Sequence, residues 1–353
     1  MKKYIYGIIN NSKMMDIKYL LFNKFIQIKN ISYRDISIIA SEAGEDFYDS
    51  MEYKNATKEV LANNLIRQQE IIEKIMNLGN TIIPMKLGTI VADEQEVVDI
   101  LIKGYKLIKQ IFEKIENKIE IDIVATWNNF DSILAEIGIG KDITIFKNRL
   151  LKYPNTITIN DQIKIGNMVK DGLDEKREEY SKFIYSYLKS NCEEIKKHEL
   201  MDDKMIGNYA VLIDKAKHTE FDEILDEMNA KFGEKINFRY VGPLAPYSSY
   251  TMEIKKIRLK DLVWARNILE ILDESVSELK IKKAYHNAVY SVHPDRNPGI
   301  AGMEQKLDDV ISAYRILSDY CQACQQAGQK DIYLFTEKEF QMNSILVKLK
   351  KYN

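Results

Sequence analysis

Residues 240–248 read Tyr-Val-Gly-Pro-Leu-Ala-Pro-Tyr-Ser, and residues 242–247 within them are the most turn-rich stretch of the chain. Gly242 suits backbone angles that other residues avoid, and Pro243 and Pro246 stiffen a turn because proline restricts its own backbone. Tyr247 follows the second proline directly. The stretch therefore predicts a fixed loop, from which the neighbouring elements can be placed.

A strand–helix–strand unit leads into this loop. Residues 209–213 and the alternating apolar side chains of residues 236–240 predict strands, and Thr219 predicts the start of a helix between them. Earlier in the chain, residues 119–123 alternate isoleucine with an acidic residue, which is the period of a half-buried strand. Because strands and helices interleave, the sequence predicts an α+β architecture.

A long helical pattern begins near Asn160 and runs to about Leu200. It contains Gly172 within a highly charged stretch, a position at which a helix can kink. The helix either projects as a coiled-coil arm for a partner or packs along its own sheet. Its apolar positions do not keep a strict heptad over several repeats, which favours packing within the domain.

The first part of the chain also mixes strands and helices. Residues 4–9 are rich in β-branched and aromatic side chains and predict a strand. Residues 57–78 have apolar positions at helical spacing. Residues 81–91 are strand-like, but Pro84 places them at an edge or in a bend, and Gly88 suits a special backbone angle.

From Asp261 to about Cys321 the pattern becomes helical, a shift that predicts a separate module. Pro294 forces a sharp exit from the helix that precedes it. His293 and Asp295 are thereby presented as polar contacts at the helix tip. Lysines at positions 280, 282 and 283 make one end of that helix basic. Such an end suits an acidic groove on a partner.

Composition excludes several classes of protein. At 353 residues the chain has room for two or three domains, and an apolar fraction of 45% argues against disorder. The formal net charge of -2 gives no whole-chain signal for nucleic acid. No uncharged apolar stretch is long enough to span a bilayer, so we expect a cytoplasmic protein without a membrane span.

No catalytic or metal-binding pattern is present in the sequence. Cys321 and Cys324 form a C-x-x-C pair, but no second pair or nearby histidine supplies the remaining ligands of a structural zinc. Residues 138–142 lack the first glycine and the Ser or Thr of a phosphate-binding loop. His198 and His218 are isolated. We therefore predict no enzymatic activity, no cofactor and no metal.

Four stretches in the first two-thirds of the chain resemble the L/F family of gas vesicle proteins (GvpL/GvpF) in order and spacing: residues 4–7, 83–91, 121–127 and 240–248. The resemblance implies two ferredoxin-like α+β parts and a role in making gas vesicles rather than in forming the bulk of their wall. It also implies two kinds of partner, the small hydrophobic shell protein and other gas vesicle accessory proteins. At Leu244-Ala245 the chain departs from the Trp-Pro that is common in the family.

The residues that carry this resemblance have either a structural role or a partner-binding role. The glycines and prolines among them favour the structural role, because they set backbone geometry and stiffen turns. The set comprises Pro84, Leu87, Gly88, Thr89, Gly242, Pro243, Pro246 and Tyr247.

A second resemblance is independent of the first. Residues 281–285, 292–298 and 311–319 resemble a J-domain, in which two antiparallel helices flank a His-Pro-Asp loop. The resemblance implies binding to a DnaK-type chaperone, whose ATP hydrolysis a J-domain stimulates. The contact residues that it implies are His293, Pro294, Asp295, Lys280, Lys282, Lys283 and Arg296.

The chain departs from the usual J-domain pattern: the stretch before Ile281 is about two residues short, and Asn267-Ile268 replaces the usual tyrosine of the first helix. His286, Asn287 and Ser291 stand where basic residues are usual. Two interpretations follow: the module keeps the fold with weakened chaperone docking, or it serves only as an interaction arm.

The predicted fold class is α+β, with two ferredoxin-like domains, a long helical segment and a small all-α J-domain-like module. We predict an N-terminal α+β domain at 1–118, a second α+β domain at 119–258, the J-domain-like module at 259–325 and a C-terminal tail at 326–353. The predicted function is that of a cytoplasmic gas vesicle assembly factor that binds shell protein and recruits a chaperone. The alternative is a minor structural component of the vesicle with a non-functional J-like module.

Overall fold

The computed structural model describes residues 1–21, 24–44, 57–232 and 235–350. Its strands are β1 (Lys3–Ile9), β2 (Asp16–Leu21), β3 (Lys24–Tyr33), β4 (Ile36–Glu42), β5 (Ile82–Pro84), β6 (Ile90–Val91), β7 (Lys118–Trp127), β8 (Glu194–Lys197), β9 (Met205–Asp214), β10 (Ile236–Leu244), β11 (Met252–Lys256), β12 (Ser275–Ser277), β13 (Ile332–Leu334) and β14 (Ile345–Leu349).

Its helices are α1 (Lys58–Asn77), α2 (Glu94–Ile115), α3 (Phe130–Gly138), α4 (Lys141–Leu151), α5 (Ile159–Ser190), α6 (His218–Phe232), α7 (Tyr247–Tyr250), α8 (Leu259–Ile268), α9 (Glu278–Val292), α10 (Met303–Gln326) and α11 (Glu337–Asn343). Short 3-10 turns lie at Pro154–Thr156, Lys215–Lys217 and Pro294–Arg296.

The chain forms two compact units. Unit 1 comprises Met1–Lys114 and Tyr250–Asn353, and unit 2 comprises Ile115–Ser249. This division is discontinuous in sequence, whereas four consecutive segments were predicted. The J-domain-like residues share a unit with the N-terminal residues because the chain returns to unit 1 after Ser249.

The N-terminal part of unit 1 is an antiparallel sheet in the order β2-β3-β4-β1-β5, with β6 also paired to β1. Strand β1 is almost wholly buried, as its apolar sequence KYIYGII requires of a central strand. In the described residues four strands precede the first helix, so this part lacks the βαββαβ order of a ferredoxin-like domain. The prediction of a ferredoxin-like fold is wrong here, because no helix connects β1 to β2 within the described residues 1–21.

Unit 2 is built on a four-stranded antiparallel sheet in the order β10-β7-β9-β8. Its strands and main helices follow each other as β7, α5, β8, β9, α6 and β10, with α3 and α4 inserted before α5. Strand β7 is central, and it pairs with β9 on one side and with β10 on the other. The alternating strand predicted at 119–123 therefore lies in the middle of this sheet.

Helix α5 packs within unit 2 rather than extending as predicted to about Leu200. It begins after a capping box formed by Thr158 and Asp161, and it ends at Ser190. The predicted end is wrong because Ile195 pairs with Val211 in the β8–β9 ladder. Buried side chains of α5 face the sheet, in agreement with the interpretation that the sequence favoured.

The C-terminal part of unit 1 has a core of its own. Helices α8, α9 and α10 pack around buried residues such as Ile281, Val310 and Leu317. Two small sheets, β11–β14 and β12–β13, join the ends of this helical group. The module is therefore not purely helical. The segment from 326, which was predicted to be a C-terminal tail, contributes Tyr333 and Leu346 to the same core.

No helix among the described residues is both long enough and apolar enough to cross a membrane.

Candidate functional site

The antiparallel pair α9–α10 presents the His-Pro-Asp residues at one of its ends. Ser277 caps α9 by accepting a hydrogen bond from the backbone N–H of Lys280 at 3.3 Å. Ile281 is buried, and Tyr285 stacks on Tyr314 of α10 with 4.2 Å between ring centroids. Burial of this face leaves the opposite face of α9 and the loop after Val292 in solvent.

The loop geometry follows directly from the sequence His293-Pro294-Asp295. Helix α9 ends at Val292, and Pro294 opens a 3-10 turn. The His293 ring Nδ1 accepts the backbone N–H of Asp295 at 3.2 Å. This contact assigns the proton of the neutral ring to Nε2. The Asp295 carboxylate is exposed beside it.

Asn297 holds the loop closed, a role that the sequence analysis missed. Its Nδ2 donates to the backbone carbonyl of Ser291 at 3.0 Å and to that of His293 at 3.1 Å. The signal available in the sequence was an asparagine just after the turn, since asparagine side chains commonly bond to nearby backbone groups.

Arg296 turns back onto the exposed face of α9. Its guanidinium carbon lies 3.6 Å from the centroid of the Tyr290 ring, a cation–π contact. Tyr290 is 62% exposed. The structure thus brings Arg296 and the His-Pro-Asp residues together in one solvent-facing group at the tip of α9.

The three predicted lysines lie at the other end of α9, and the structure places them differently. Lys280 forms an ion pair with Asp273, and Lys282 bonds to Glu278 at 2.7 Å. These bonds lower the pKa of Asp273 and raise the pKa of Lys282. Lys283 is exposed. Intramolecular pairing therefore neutralises part of the predicted basic end.

The loop between β5 and β6 carries the first gas vesicle motif. Gly88 has φ +76°, so the predicted special backbone angle is present. Its N–H donates to the Tyr4 hydroxyl at 3.2 Å, and that hydroxyl donates to Gln68 Oε1 at 2.8 Å. Gln68 Nε2 in turn donates to the Met85 carbonyl at 2.6 Å. The loop is thus tied to β1 and α1 by buried hydrogen bonds.

The remaining residues of this motif are structural in their contacts. Thr89 Oγ1 donates to the Lys86 carbonyl at 2.6 Å, and Pro84 is buried in β5. Leu87 is half-buried. Lys86 bonds to Glu253 at 2.6 Å and donates its backbone N–H to the Met252 carbonyl. The motif therefore anchors β11, the strand that leads into the J-domain-like part of unit 1.

The second motif loop runs along the central strand of unit 2. Gly242 does not have a positive φ, so the predicted special angle is wrong for this glycine. It is favoured by close approach instead, since a Cβ there would lie 3.1 Å from Ile121 Cγ1 and 3.2 Å from the Glu120 carbonyl. The Gly242–Pro243 peptide bond is cis. Pro246 is buried, and Tyr247 donates its N–H to the Ala245 carbonyl.

A buried polar cluster holds this loop in place. The sequence pattern did not predict this cluster. The alternation at 119–123 placed Glu120 on the solvent side, yet Glu120 is 2% exposed. The Ser248 N–H donates to its Oε1 at 3.1 Å and to its Oε2 at 3.0 Å. Lys196 Nζ donates to the Ser248 carbonyl, and His198 Nε2 lies 3.0 Å from Ser248 Oγ.

The carboxyl groups of this cluster have raised pKa values. Burial raises the pKa of Glu120 to about 8, and the nearby Asp122 carboxylate adds to this increase. The hydrogen bonds from Ser248 lower the pKa but do not cancel the increase. Burial also raises the pKa of Asp122, and His198 opposes that change. Glu120 therefore carries a proton at neutral pH while it accepts the N–H of Ser248.

The paired cysteines are packing residues of α10. Burial raises the pKa of both Cys321 and Cys324, the second to about 11, so both are thiols at neutral pH. Within the described ranges, no three His, Cys, Asp or Glu side chains are grouped so that they could hold a metal ion.

Comparison with known proteins agrees with both parts of this architecture. The sequence-family model for the gas vesicle synthesis protein GvpL/GvpF matches residues 2–249, and the family model for the DnaJ domain matches residues 267–323. The fold and motif loops thus define a gas vesicle synthesis protein that carries a J-domain. The chain belongs to the GvpL/GvpF family.

Individual gas vesicle relatives are distant in sequence. Gas vesicle protein F of Nostoc sp. is 24% identical over 187 residues, which are 52% of this chain and 76% of that protein. The protein of the same name from Microcystis aeruginosa is 24% identical over 186 residues, 52% of this chain and 75% of the relative.

Solved structures show the same fold. The crystal structure of GvpF from Anabaena sp. matches with a TM-score of 0.58 and 22% identity, covering 70% of this chain and 97% of that one. GvpF from Microcystis aeruginosa matches with a TM-score of 0.55 and 20% identity, covering 70% and 98%.

The J-domain is similar to a part of larger chaperones. The chaperone protein DnaJ of Ruminiclostridium cellulolyticum is 45% identical over 56 residues, which are 15% of this chain and 15% of that protein. The similarity to DnaJ therefore concerns the J-domain.

Proposed function

We propose that the protein is a gas vesicle assembly factor that binds the shell protein and recruits a DnaK-type chaperone through its J-domain. Family membership supports the first half of this proposal. One observation carries the second half: the His-Pro-Asp residues lie at the end of a folded antiparallel helix pair, with Asp295 exposed and His293 and Pro294 half-buried, in a turn held by Asn297.

The tip of α9 offers a chaperone three kinds of contact. The His293 ring donates through Nε2, Asp295 accepts through its carboxylate, and Arg296 supplies a positive charge on the Tyr290 ring. Lys283 adds an exposed charge at the other end of the helix. Such a face complements an acidic groove. ATP hydrolysis takes place in the chaperone, so the chain itself performs no catalysis.

A chaperone is a reasonable partner for a factor that handles an apolar shell protein. Subunits with large apolar surfaces aggregate before they assemble, because water drives such surfaces together. A protein that binds both the subunit and the chaperone would keep the two at high local concentration. The proposed site of action is the cytoplasm and the surface of the growing vesicle.

We infer a ferredoxin-like arrangement for unit 2. The order β7, α5, β8, β9, α6, β10 is βαββαβ once α3 and α4 are set aside as an insertion. The antiparallel strand order β10-β7-β9-β8 supports this assignment.

A second candidate function is a minor structural component of the vesicle, with a J-domain that serves only packing. The observation that favours it is the pairing of Lys280 with Asp273 and of Lys282 with Glu278. Both ion pairs are exposed and therefore weak, so a chaperone that offers stronger partners can replace them. For this reason we prefer the co-chaperone function.

Single-turnover ATP hydrolysis by the DnaK-type chaperone of the same host tests the proposal. We expect the wild-type chain to stimulate hydrolysis and His293→Gln to remove at least about 90% of that stimulation, a tenfold change in rate. His218→Gln is the matched control, since His218 begins α6 in unit 2, outside the residues that the J-domain model matches. Absence of stimulation by the wild type would leave the structural component as the better description.

A further inference from the structure

Helix α4 and the start of α5 expose an unusual group of large apolar side chains. Single exposed apolar residues are common, but a group within one short stretch indicates an interaction surface. Ile159 is 73% exposed and Ile163 is 56% exposed. We call this region the tip surface, which is a different region from the tip of α9. It is defined by Ile145, Leu151, Tyr153, Ile159, Ile163 and Gly166.

The two helices form one surface because they pack on the same residue. Phe146 of α4 is buried, and its ring is covered by Arg149 at 4.8 Å and by Lys164 of α5 at 4.9 Å. Ile159 and Ile163 are four residues apart and therefore lie on one face of α5. The capping box at Thr158 fixes the first turn of that helix.

Two glycines of α5 differ in what the fold requires of them. A Cβ at Gly172 would lie 2.8 Å from Ile137 Cγ2, so the packing of α3 on α5 requires a glycine there. A Cβ at Gly166 would meet nothing within 4 Å. Glycine inside a helix is less favourable than alanine. No described neighbour accounts for Gly166, which continues the face of Ile159 and Ile163.

Glycine beside exposed isoleucines forms a shallow groove that another helix can approach closely. The charged residues of α4, of the connection and of the first two turns of α5 are mainly basic: Lys141, Lys147, Arg149, Lys152 and Lys164 outnumber Asp142 and Asp161. Asp161 is occupied by its bonds to Thr158. The tip surface therefore combines exposed apolar side chains with a net positive charge, which complements an amphipathic helix with acidic flanks.

We propose that the tip surface is the docking site for an amphipathic helix of the gas vesicle shell protein, one with an apolar face and acidic flanking residues. This inference rests on the proposed function, because it assumes that the chain binds shell protein. The location supports this partner: the tip surface lies within residues 2–249, the part that the gas vesicle family model matches, and outside the J-domain.

The test is co-purification of untagged shell protein with the tagged full-length chain after co-expression. Ile159→Ser combined with Ile163→Ser should reduce the shell protein retained by about tenfold, equivalent to about 1.4 kcal/mol. Leu272→Ser combined with Leu279→Ser is the matched control, since both leucines are exposed in the J-domain part of the chain. The control should retain shell protein as the wild type does.

Two further variants separate docking from folding. Gly166→Ala should raise the melting temperature, because alanine favours the helix, and should still lower retention, because its methyl group fills the groove. Lys147→Glu combined with Lys152→Glu should lower retention most at low salt.

Each outcome has a distinct meaning. Equal retention by the wild type and the isoleucine variant overturns the tip surface as the docking site while shell binding stands. No retention by the wild type overturns shell binding itself, and with it the proposed function. A flotation assay with phosphatidylglycerol vesicles gives the last outcome. If the wild type floats with the vesicles, the isoleucine variant does not, and both retain shell protein equally, the proposal is overturned and the surface binds a membrane.

Discussion

The backbone N–H of Ser248 donates to both carboxyl oxygens of Glu120, at 3.1 Å and 3.0 Å, in the interior of unit 2. This contact joins the second gas vesicle motif loop to the central strand β7. It also places a titratable group with a pKa of about 8 at the point where the loop is held. The stability of unit 2 should therefore depend on pH through Glu120.

Glu120→Gln should stabilise unit 2 more at pH 9 than at pH 4. The pKa of Glu120 is about 8 in the folded chain and near its ordinary value of 4.5 when unfolded. The stability that its protonated form contributes is complete below pH 4.5 and is lost as pH rises through 8. Glutamine keeps the acceptor for Ser248 and removes the ionisation. Each pKa unit corresponds to about 1.4 kcal/mol, so the gain should reach a few kcal/mol.

Urea unfolding of the full chain at both pH values measures this gain. Glu116→Gln is the control, because it makes the same chemical change at an exposed position. An equal effect of Glu120→Gln at pH 4 and pH 9 would rule out an ionisation of Glu120 in this range.

Gly88→Ala should destabilise the first motif loop. Gly88 has φ +76°, and an alanine in the left-handed region costs about 1–2 kcal/mol. Gly138→Ala is the control, since Gly138 ends α3 with open space around its Cα and without a positive φ. Chemical denaturation should show a lower midpoint for Gly88→Ala alone. A neutral effect at Gly88 would mean that the loop adopts another conformation.

Asp319→Ala should loosen the C-terminal part of unit 1. Asp319 of α10 accepts from Lys255 of β11 at 2.8 Å and from Lys348 of β14 at 2.7 Å. Its removal leaves two partly buried ammonium groups side by side, at a cost of about 1–3 kcal/mol. Hydrogen exchange in β11 and β14 should accelerate. The exposed pair Arg258–Asp261 gives the comparison, and Asp261→Ala should change stability by about 0.5 kcal/mol or less.

Leu346→Ala should expose the J-domain to proteolysis although Leu346 lies outside the matched J-domain residues. Leu346 is fully buried in the core that α8, α9 and α10 share. Truncation of a buried leucine costs about 2–5 kcal/mol. Limited proteolysis should cleave α9 and α10 faster than in the wild type. Met342→Ala, at a side chain that is 49% exposed, should not; similar cleavage in both variants would mean that the segment after 326 is dispensable for the J-domain.

Local sequence sufficed where the deciding interactions lie close together in the chain. Pro294 ends α9 at the residue before His293, and Gly88 adopts a left-handed backbone, as the sequence predicted. Both results follow from steric limits on one or two residues. The two family resemblances, carried by motifs of this kind, are confirmed by the family models.

Pattern reasoning failed where a distant segment changes the environment of a residue. Period-two alternation placed Glu120 in solvent, but the loop that carries Ser248 covers it. The helical pattern after Asn160 predicted a helix that continues past Ser190. In the structure Ile195 instead pairs with Val211 in the β8–β9 ladder and is a strand residue. Neither partner is near in sequence, so no window of local pattern contains the information.

The sequence by itself determined the α+β class, the two motif loops and the His-Pro-Asp turn, because backbone sterics and apolar periodicity act over a few residues. Only the tertiary structure decided that the J-domain shares a compact unit with the N-terminal sheet, that Lys280 and Lys282 are paired, and that Glu120 is buried. These features depend on contacts between segments far apart in the chain. Their free energies come from burial and pairing that exist only after the chain has folded.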